Sequence, residues 1–227
     1  MKIRDIPSPN HSARRGTGIV DMLVLHYTGM SDARSALERL CSPEAEVSAH
    51  YLIDEDGAVW RLVPEERRAW HAGVSNWSGD SDVNSRSVGI ELANPGHGPD
   101  FRAFAEPQMI ALERLCLEIL SRHPIPPWRV LGHSDVAPAR KQDPGELFDW
   151  QRLSARGIGL WSEAAAAPAQ DDALDLFWWM RRFGYEDASS EAVAAFQRHF
   201  RPRSVTGLAD DETRSRLVDL VKQAGLA

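Results

Sequence analysis

Apolar positions fall into two patterns along the chain. Asp21–Tyr27 (DMLVLHY) and Ser87–Ala93 (SVGIELA) are runs of strand length, and Arg129–His133 predicts a further short strand. Ala49–Ile53 and Ala58–Val63 flank Asp54-Glu55-Asp56-Gly57, whose final Asp-Gly can supply the positive φ of a tight turn, so they predict a β-hairpin. Helical spacing marks Ser31–Leu40, with Ala33, Ala36, Leu37 and Leu40 behind Ser31 as the cap. It is clearest in Pro107–Arg122, where proline takes the first position and Met109, Leu112, Cys116, Ile119 and Leu120 form one stripe. That helix is expected to cover one face of a sheet. A short closing helix is expected at Asp149–Leu153. Between these elements, Arg67–Ser85 has loop composition but carries Trp70, His71 and Trp77, and long loops with bulky rings tend to line something.

Near residue 165 the pattern changes. Ser162–Asp172 (SEAAAAPAQDD) holds small and acidic residues, one proline and no large apolar side chain, which is linker composition. The expected division is a first domain over residues 1–161, a linker over 162–172 and a second unit over 173–227. Ala173–Phe183, Ser190–Phe200 and Asp210–Leu220 predict three short helices, with Leu174, Phe177, Trp178, Val193, Phe196, Phe200 and Leu217 available for one small core. A unit of about 50 residues is marginal by surface-to-volume scaling, so docking on the first domain is expected.

Composition narrows the class. With 227 residues, 43% hydrophobic and 26% charged, the chain is neither disordered nor of low complexity. Its net charge of −7 disfavours a nucleic-acid partner, because the phosphate backbone would repel it. The acidic excess lies in residues 1–172, since eight acids balance eight bases beyond them. No apolar stretch approaches the ~20 residues of a membrane span. The first residues show neither an apolar run nor a small-residue cleavage site, so a cytoplasmic location is expected, with a periplasmic or wall-associated one as the alternative. Cys41 and Cys116 each lie in a helical pattern and read as reduced thiols.

Eight histidines are candidates for chemistry. His11, His97, His123 and His199 lie in polar loops, at a helix end or in the terminal helices, and read as structural or solvated. His26 and His133 each close an apolar strand, where side chains meet at a sheet edge. Ten residues beyond His133 comes Asp143, in a loop between Gln142 and Pro144. Two histidines and a carboxylate make a zinc donor set with one open position. The spacing by itself rather favours the alternative, a strand-end histidine bonded to a backbone carbonyl.

Six stretches in order carry a resemblance: Val24–Thr28, Ser48–Ile53, Ala69–Gly73, Ser87–Leu92, Gly132–Pro138 and Lys141–Gly145. Over residues 18–153 the chain resembles the zinc-dependent N-acetylmuramoyl-L-alanine amidases of the type-2 family, relatives of phage amidase lysozymes and peptidoglycan recognition proteins. Residues 173–220 resemble the three-helix peptidoglycan-binding module often joined to them. The resemblance implies an α/β fold with a mixed central β-sheet flanked by helices, plus a small C-terminal three-helix module. It implies hydrolysis of the amide between the lactyl group of N-acetylmuramic acid and L-alanine, with peptidoglycan or a muropeptide as partner. The alternative is a recognition protein that binds muropeptides without cutting them.

Carried over by position, the resemblance makes His26, His133 and Asp143 the Zn²⁺ ligands, Glu91 the catalytic carboxylate and Lys141 its cationic partner. On a strand, Glu91 would point away from the face of Ile90 and Leu92. His50 and His71 are read as pocket groups that orient a ligand, with a satisfied core histidine as the alternative for His50. Trp70, Trp77, Asn84 and Arg86 are expected to form a substrate groove, the indoles against sugar faces and Arg86 against a peptide carboxylate. Phage relatives carry tyrosine before the histidine of the second stretch; here Ala49 stands there, so Glu91 must serve.

Overall fold

The computed structural model describes residues 2–165 and 175–227. A six-stranded mixed sheet is built from β1 (Ile3–Asp5), β3 (Met22–Tyr27), β4 (Tyr51–Ile53), β5 (Val59–Arg61), β7 (Ser87–Leu92) and β8 (Val130–Gly132), in the order β1-β5-β4-β7-β3-β8. Every neighbouring pair is parallel except the β4–β5 hairpin. Its turn is the expected one: Asp54 and Ala58 are joined N–H to carbonyl, and Gly57 has φ +85°. A two-stranded ribbon pairs β2 (His11–Ala13) with β6 (Arg67–Ala69).

Alternation along the central strands sorts the side chains between the two faces. Leu23 and Leu25 on β3, with Val88, Ile90 and Leu92 on β7, pack against helix α3 (Glu106–Arg122) through Met109, Leu112, Leu115, Cys116 and Ile119. Met22 and Val24 point to the other face, and His26 follows them there. Helix α1 (Ala33–Cys41) covers Leu52 on that face. Its cap is Asp32, whose carboxylate accepts from the Ser35 N–H; Ser31, expected in that role, instead donates to Asp32.

Two other expectations are corrected. Arg67–Ser85 is not all loop: β6 opens it and a helical turn, α2 (Val83–Arg86), closes it. The strand expected at Arg129–His133 ends at Gly132, and His133 starts the helical turn α4 (His133–Val136). Helix α5 (Trp150–Ser154) is capped by Asp149.

Helices α6 (Leu176–Phe183), α7 (Ser190–Phe200) and α8 (Asp211–Gln223) pack on the face of Met22 and Val24, in one apolar cluster with Trp77, Leu131 and Val136. Of the apolar residues assigned to their core, Phe177 and Trp178 are exposed, because α6 turns Trp179, Met180 and Phe183 inward; Leu174 lies outside the described residues. Residues 166–172 of the expected linker also lie outside them. Ser162 is buried and donates to Asp219, and its carbonyl accepts from Arg216, so the described part of that segment is tied to α8. Cys41 and Cys116 are free thiols, and burial pushes the Cys116 thiol up.

Candidate active site

The site forms at the carboxyl ends of β3, β7 and β8. His26 and Glu91 are register partners on β3 and β7, and they share the face of Val24 and Gly89. Gly89 is required there, since a Cβ would lie 2.5 Å from the His71 ring that crosses it. His133 follows β8, and the 138–145 loop returns Asp143 beside it, with Ser134 N–H donating to the Asp143 carbonyl.

The three expected donors converge. His26 Nδ1 lies 2.9 Å from His133 Nδ1 and 3.1 Å from Asp143 Oδ2, and His133 Nδ1 lies 3.0 Å from the same oxygen. All three side chains are buried. A tetrahedral ion with bonds of 2.0–2.1 Å keeps its donors about 3.3 Å apart, so this triangle fits Zn²⁺ closely.

Hydrogen bonds behind the triangle fix which nitrogens carry protons. His133 Nε2 faces the Ala72 carbonyl at 3.1 Å and must donate, which leaves its Nδ1 as a lone pair. For His26 the constraint is relayed. Ser87 Oγ–H donates to the Val83 carbonyl, so Ser87 accepts from His71 Nε2; His71 Nδ1 is then an acceptor and takes the proton of His26 Nε2. Both inward Nδ1 atoms are therefore lone pairs facing a carboxylate oxygen. Three acceptors this close repel one another unless a cation sits among them, so the residues fit a metal ion.

Charge states agree. Burial, then His133, lowers His26 to about 4, so its ring is neutral at pH 7. Burial and the neighbouring histidines hold His71 well below the ordinary histidine range. Glu91 is pushed well above its usual range by burial and then by Asp143, with Lys141 opposing, and its Oε2 is buried without a hydrogen-bond partner. Glu91 and Lys141 line one cleft with Trp70, His71, His133 and Asp143.

A model of the N-acetylmuramoyl-L-alanine amidase family matches residues 16–146. The chain is 36% identical to the amidase AmiD of Escherichia coli over 91% of its own length and 84% of that protein's. The chain belongs to the N-acetylmuramoyl-L-alanine amidase family. Among amidase structures, AmiD of E. coli in complex with the substrate anhydro-N-acetylmuramic acid-L-Ala-D-γ-Glu-L-Lys superimposes with a TM-score of 0.81, at 34% identity and 94% coverage of each chain. AmpDh3 of Pseudomonas aeruginosa superimposes with a TM-score of 0.81, at 35% identity, covering 93% of this chain and 96% of that one. The 1,6-anhydro-N-acetylmuramyl-L-alanine amidase AmpD of Citrobacter freundii is 34% identical over 67% of this chain and 88% of its own length.

Within this amidase fold, four residues expected to touch substrate do other work. Trp77 is fully buried between the sheet and the C-terminal helices, edge-on to Phe183 and Tyr185, and so tight that a Cβ on Gly184 would lie 2.4 Å from its ring. Arg86 is engaged by Asp21 and Asp80 and is not available to a peptide carboxylate. Asn84 is buried, and its Oδ1 accepts the backbone N–H groups of His71 and Ala72, which places the His71 ring. His50 is a core histidine: Nδ1 accepts from the Gly89 N–H and Nε2 donates to the Arg67 carbonyl. Trp70 does line the cleft.

Sequence reasoning missed Arg14, whose half-buried guanidinium donates to the carbonyls of Glu65, Asn84, Ser85 and Ser87 and braces the strand that carries Glu91. It also missed Ser87 as the start of the proton relay. Neither stands in a spacing that signals its role.

Proposed function

We propose that this chain hydrolyses the amide between the lactyl group of N-acetylmuramic acid and L-alanine, with Zn²⁺ held by His26, His133 and Asp143. The observation that carries the reading is the triangle of three inward acceptors facing a carboxyl group, Glu91, with one oxygen left unpartnered. Bound there, Zn²⁺ would supply Lewis-acid polarisation of the scissile carbonyl and acidification of water.

The chain's own residues do the rest. Glu91, on the same face as His26, accepts a proton from the attacking water at Oε2 and passes it to the departing alanine nitrogen. Its raised affinity for protons suits the second half of that exchange. Lys141 supplies a fixed positive charge beside the reacting carbonyl, where charge builds in the tetrahedral species. His71 and Asn84 hold the His26 ring, and Trp70 offers an indole to a sugar face. A recognition protein that binds without cutting has no use for this complete set of proton and donor groups, and the hydrolase reading is preferred.

Mass spectrometry of products from soluble anhydro-muropeptide and from purified sacculi, run side by side with and without chelator, tests the reading. Release of peptide beginning with a free L-alanine amine, abolished by chelator and restored by zinc, is expected. Cleavage elsewhere in the stem peptide would overturn the bond assignment. The same comparison tells whether soluble fragments or intact polymer are preferred.

A further inference from the structure

The donor triangle lies where two clefts meet, and Tyr27, Lys141 and Asp143 line both. The narrower, about 280 Å³, runs past Met30, Leu40 and Trp70 and combines these apolar groups with the polar His71, Glu91 and Lys141. The wider, about 680 Å³, opens between residues 138–143 and helix α7, and its lining is polar and charged. Arg140, Lys141 and Arg198 are its bases, and Glu191 and Asp143 its acids.

Arg140 is committed, since it donates to the carbonyls of Ala72 and Val74. Arg198, on α7, is not. Among the described residues its buried Nε has no hydrogen-bond partner, and its charge acts on Tyr27, which lines the same cleft, and on Glu146. Glu146 already engages His97. A guanidinium donor withdrawn from water and left unpaired is costly, and the ligand its planar fork matches is a carboxylate.

A site that cuts an amide must accommodate both sides of the bond. If the chain is a muramyl-alanine amidase, one side is an uncharged sugar and the other a peptide with free carboxylates; a γ-linked glutamate leaves its α-carboxylate free. We propose that the wider cleft holds the peptide arm and that Arg198 pairs there with this α-carboxylate, so that the C-terminal helices contribute a specificity-determining residue. The assignment rests on the amidase reading. It gives those helices a part in selecting the bond's peptide side, separate from any hold on polymer.

The test uses two soluble substrates, anhydro-N-acetylmuramic acid-L-Ala-D-γ-Glu-L-Lys and its counterpart with the glutamate α-carboxylate as carboxamide. The full-length enzyme is expected to favour the acid by about 10- to 100-fold in kcat/KM, the worth of a charge-assisted hydrogen bond. In Arg198→Gln that preference collapses towards parity through a higher KM for the acid alone, and Arg198→Lys recovers part of it. No preference in the wild type, an unchanged preference in Arg198→Gln, or equal losses on both substrates would each overturn the assignment. If the wild type cuts neither substrate, the amidase reading fails. Calorimetric binding of the peptide L-Ala-D-γ-Glu-L-Lys and its carboxamide to wild type and Arg198→Gln then decides the Arg198 pairing by the same preference.

Discussion

Replacing Glu91 by glutamine keeps the side chain's shape and removes its proton chemistry. The variant is expected to fold and bind metal normally and to lose about 10²–10⁴ in turnover, the range for a positioned acid–base group; steady-state kinetics with metal analysis on the same sample checks both halves. The relay behind His26 gives a different expectation. His71→Ala frees His26 Nε2 from its acceptor and lets the proton move to the inward nitrogen, so zinc affinity should fall about 10- to 100-fold. Ser87→Ala should weaken it less, since His71 keeps its contact with His26. Chelator competition measures the dissociation constants, and unchanged affinity in both variants would falsify the relay. At this scale the residues that gather at the sheet edge were legible in the sequence, because His26, His133, Asp143 and Glu91 sit in motifs whose order is specific. It did not reveal that Trp77, Asn84 and Arg86 serve the frame, since a polar or aromatic loop residue reads alike whether it faces substrate or is turned inward onto Asp21, as Arg86 is.

His50, the residue before β4, joins β6 and β7 through its ring, by way of the Arg67 carbonyl and the Gly89 N–H. Burial, then the Arg14 charge, holds it down to about 3. A folded value below the unfolded one means that the unfolded chain takes the proton first. The stability His50 gives is thus complete above about 6.5 and is lost as pH falls towards about 3. Glu65 follows at lower pH: against the cost of burial, Arg122, Tyr51 and His123 lower it to about 2, so its contribution fades as pH falls from about 4.5 to about 2. Urea unfolding of the metal-free protein is therefore expected to show stability declining from pH 6.5 downward, before the carboxylates titrate. His50→Gln should be less stable at pH 7 and have a flatter profile between pH 6.5 and 4; a wild-type curve level down to pH 5 would contradict the assignment. The elements themselves were legible where their signal is local, as in the Asp-Gly hairpin and the stripe of α3. β6 was hidden because three residues carry no period and its partner is β2, more than fifty residues earlier.

The apolar cluster that joins the two parts of the chain sets the expectation for truncation. Ending the chain at residue 165 removes Trp179, Met180, Phe183 and Phe196 from above Met22, Val24, Trp77 and Leu131. The fragment should aggregate, bind a hydrophobic dye and lose activity on soluble and insoluble substrates alike; a soluble, active fragment would show that the helices matter only for targeting. Linker composition could be read from the sequence, but the depth of the docking could not, because Trp77 and Gly184 meet only in three dimensions. Asp135 carries this furthest. Two residues after the donor His133, and itself buried, it accepts from the Gly132 N–H, the Tyr185 hydroxyl and the His199 ring. A gene rearrangement that exchanged the C-terminal helices for another module would strip two of those three partners from a carboxylate with no access to water. The seam is plain in composition, yet the C-terminal quarter of the chain is expected to be inherited only together with the part it packs on.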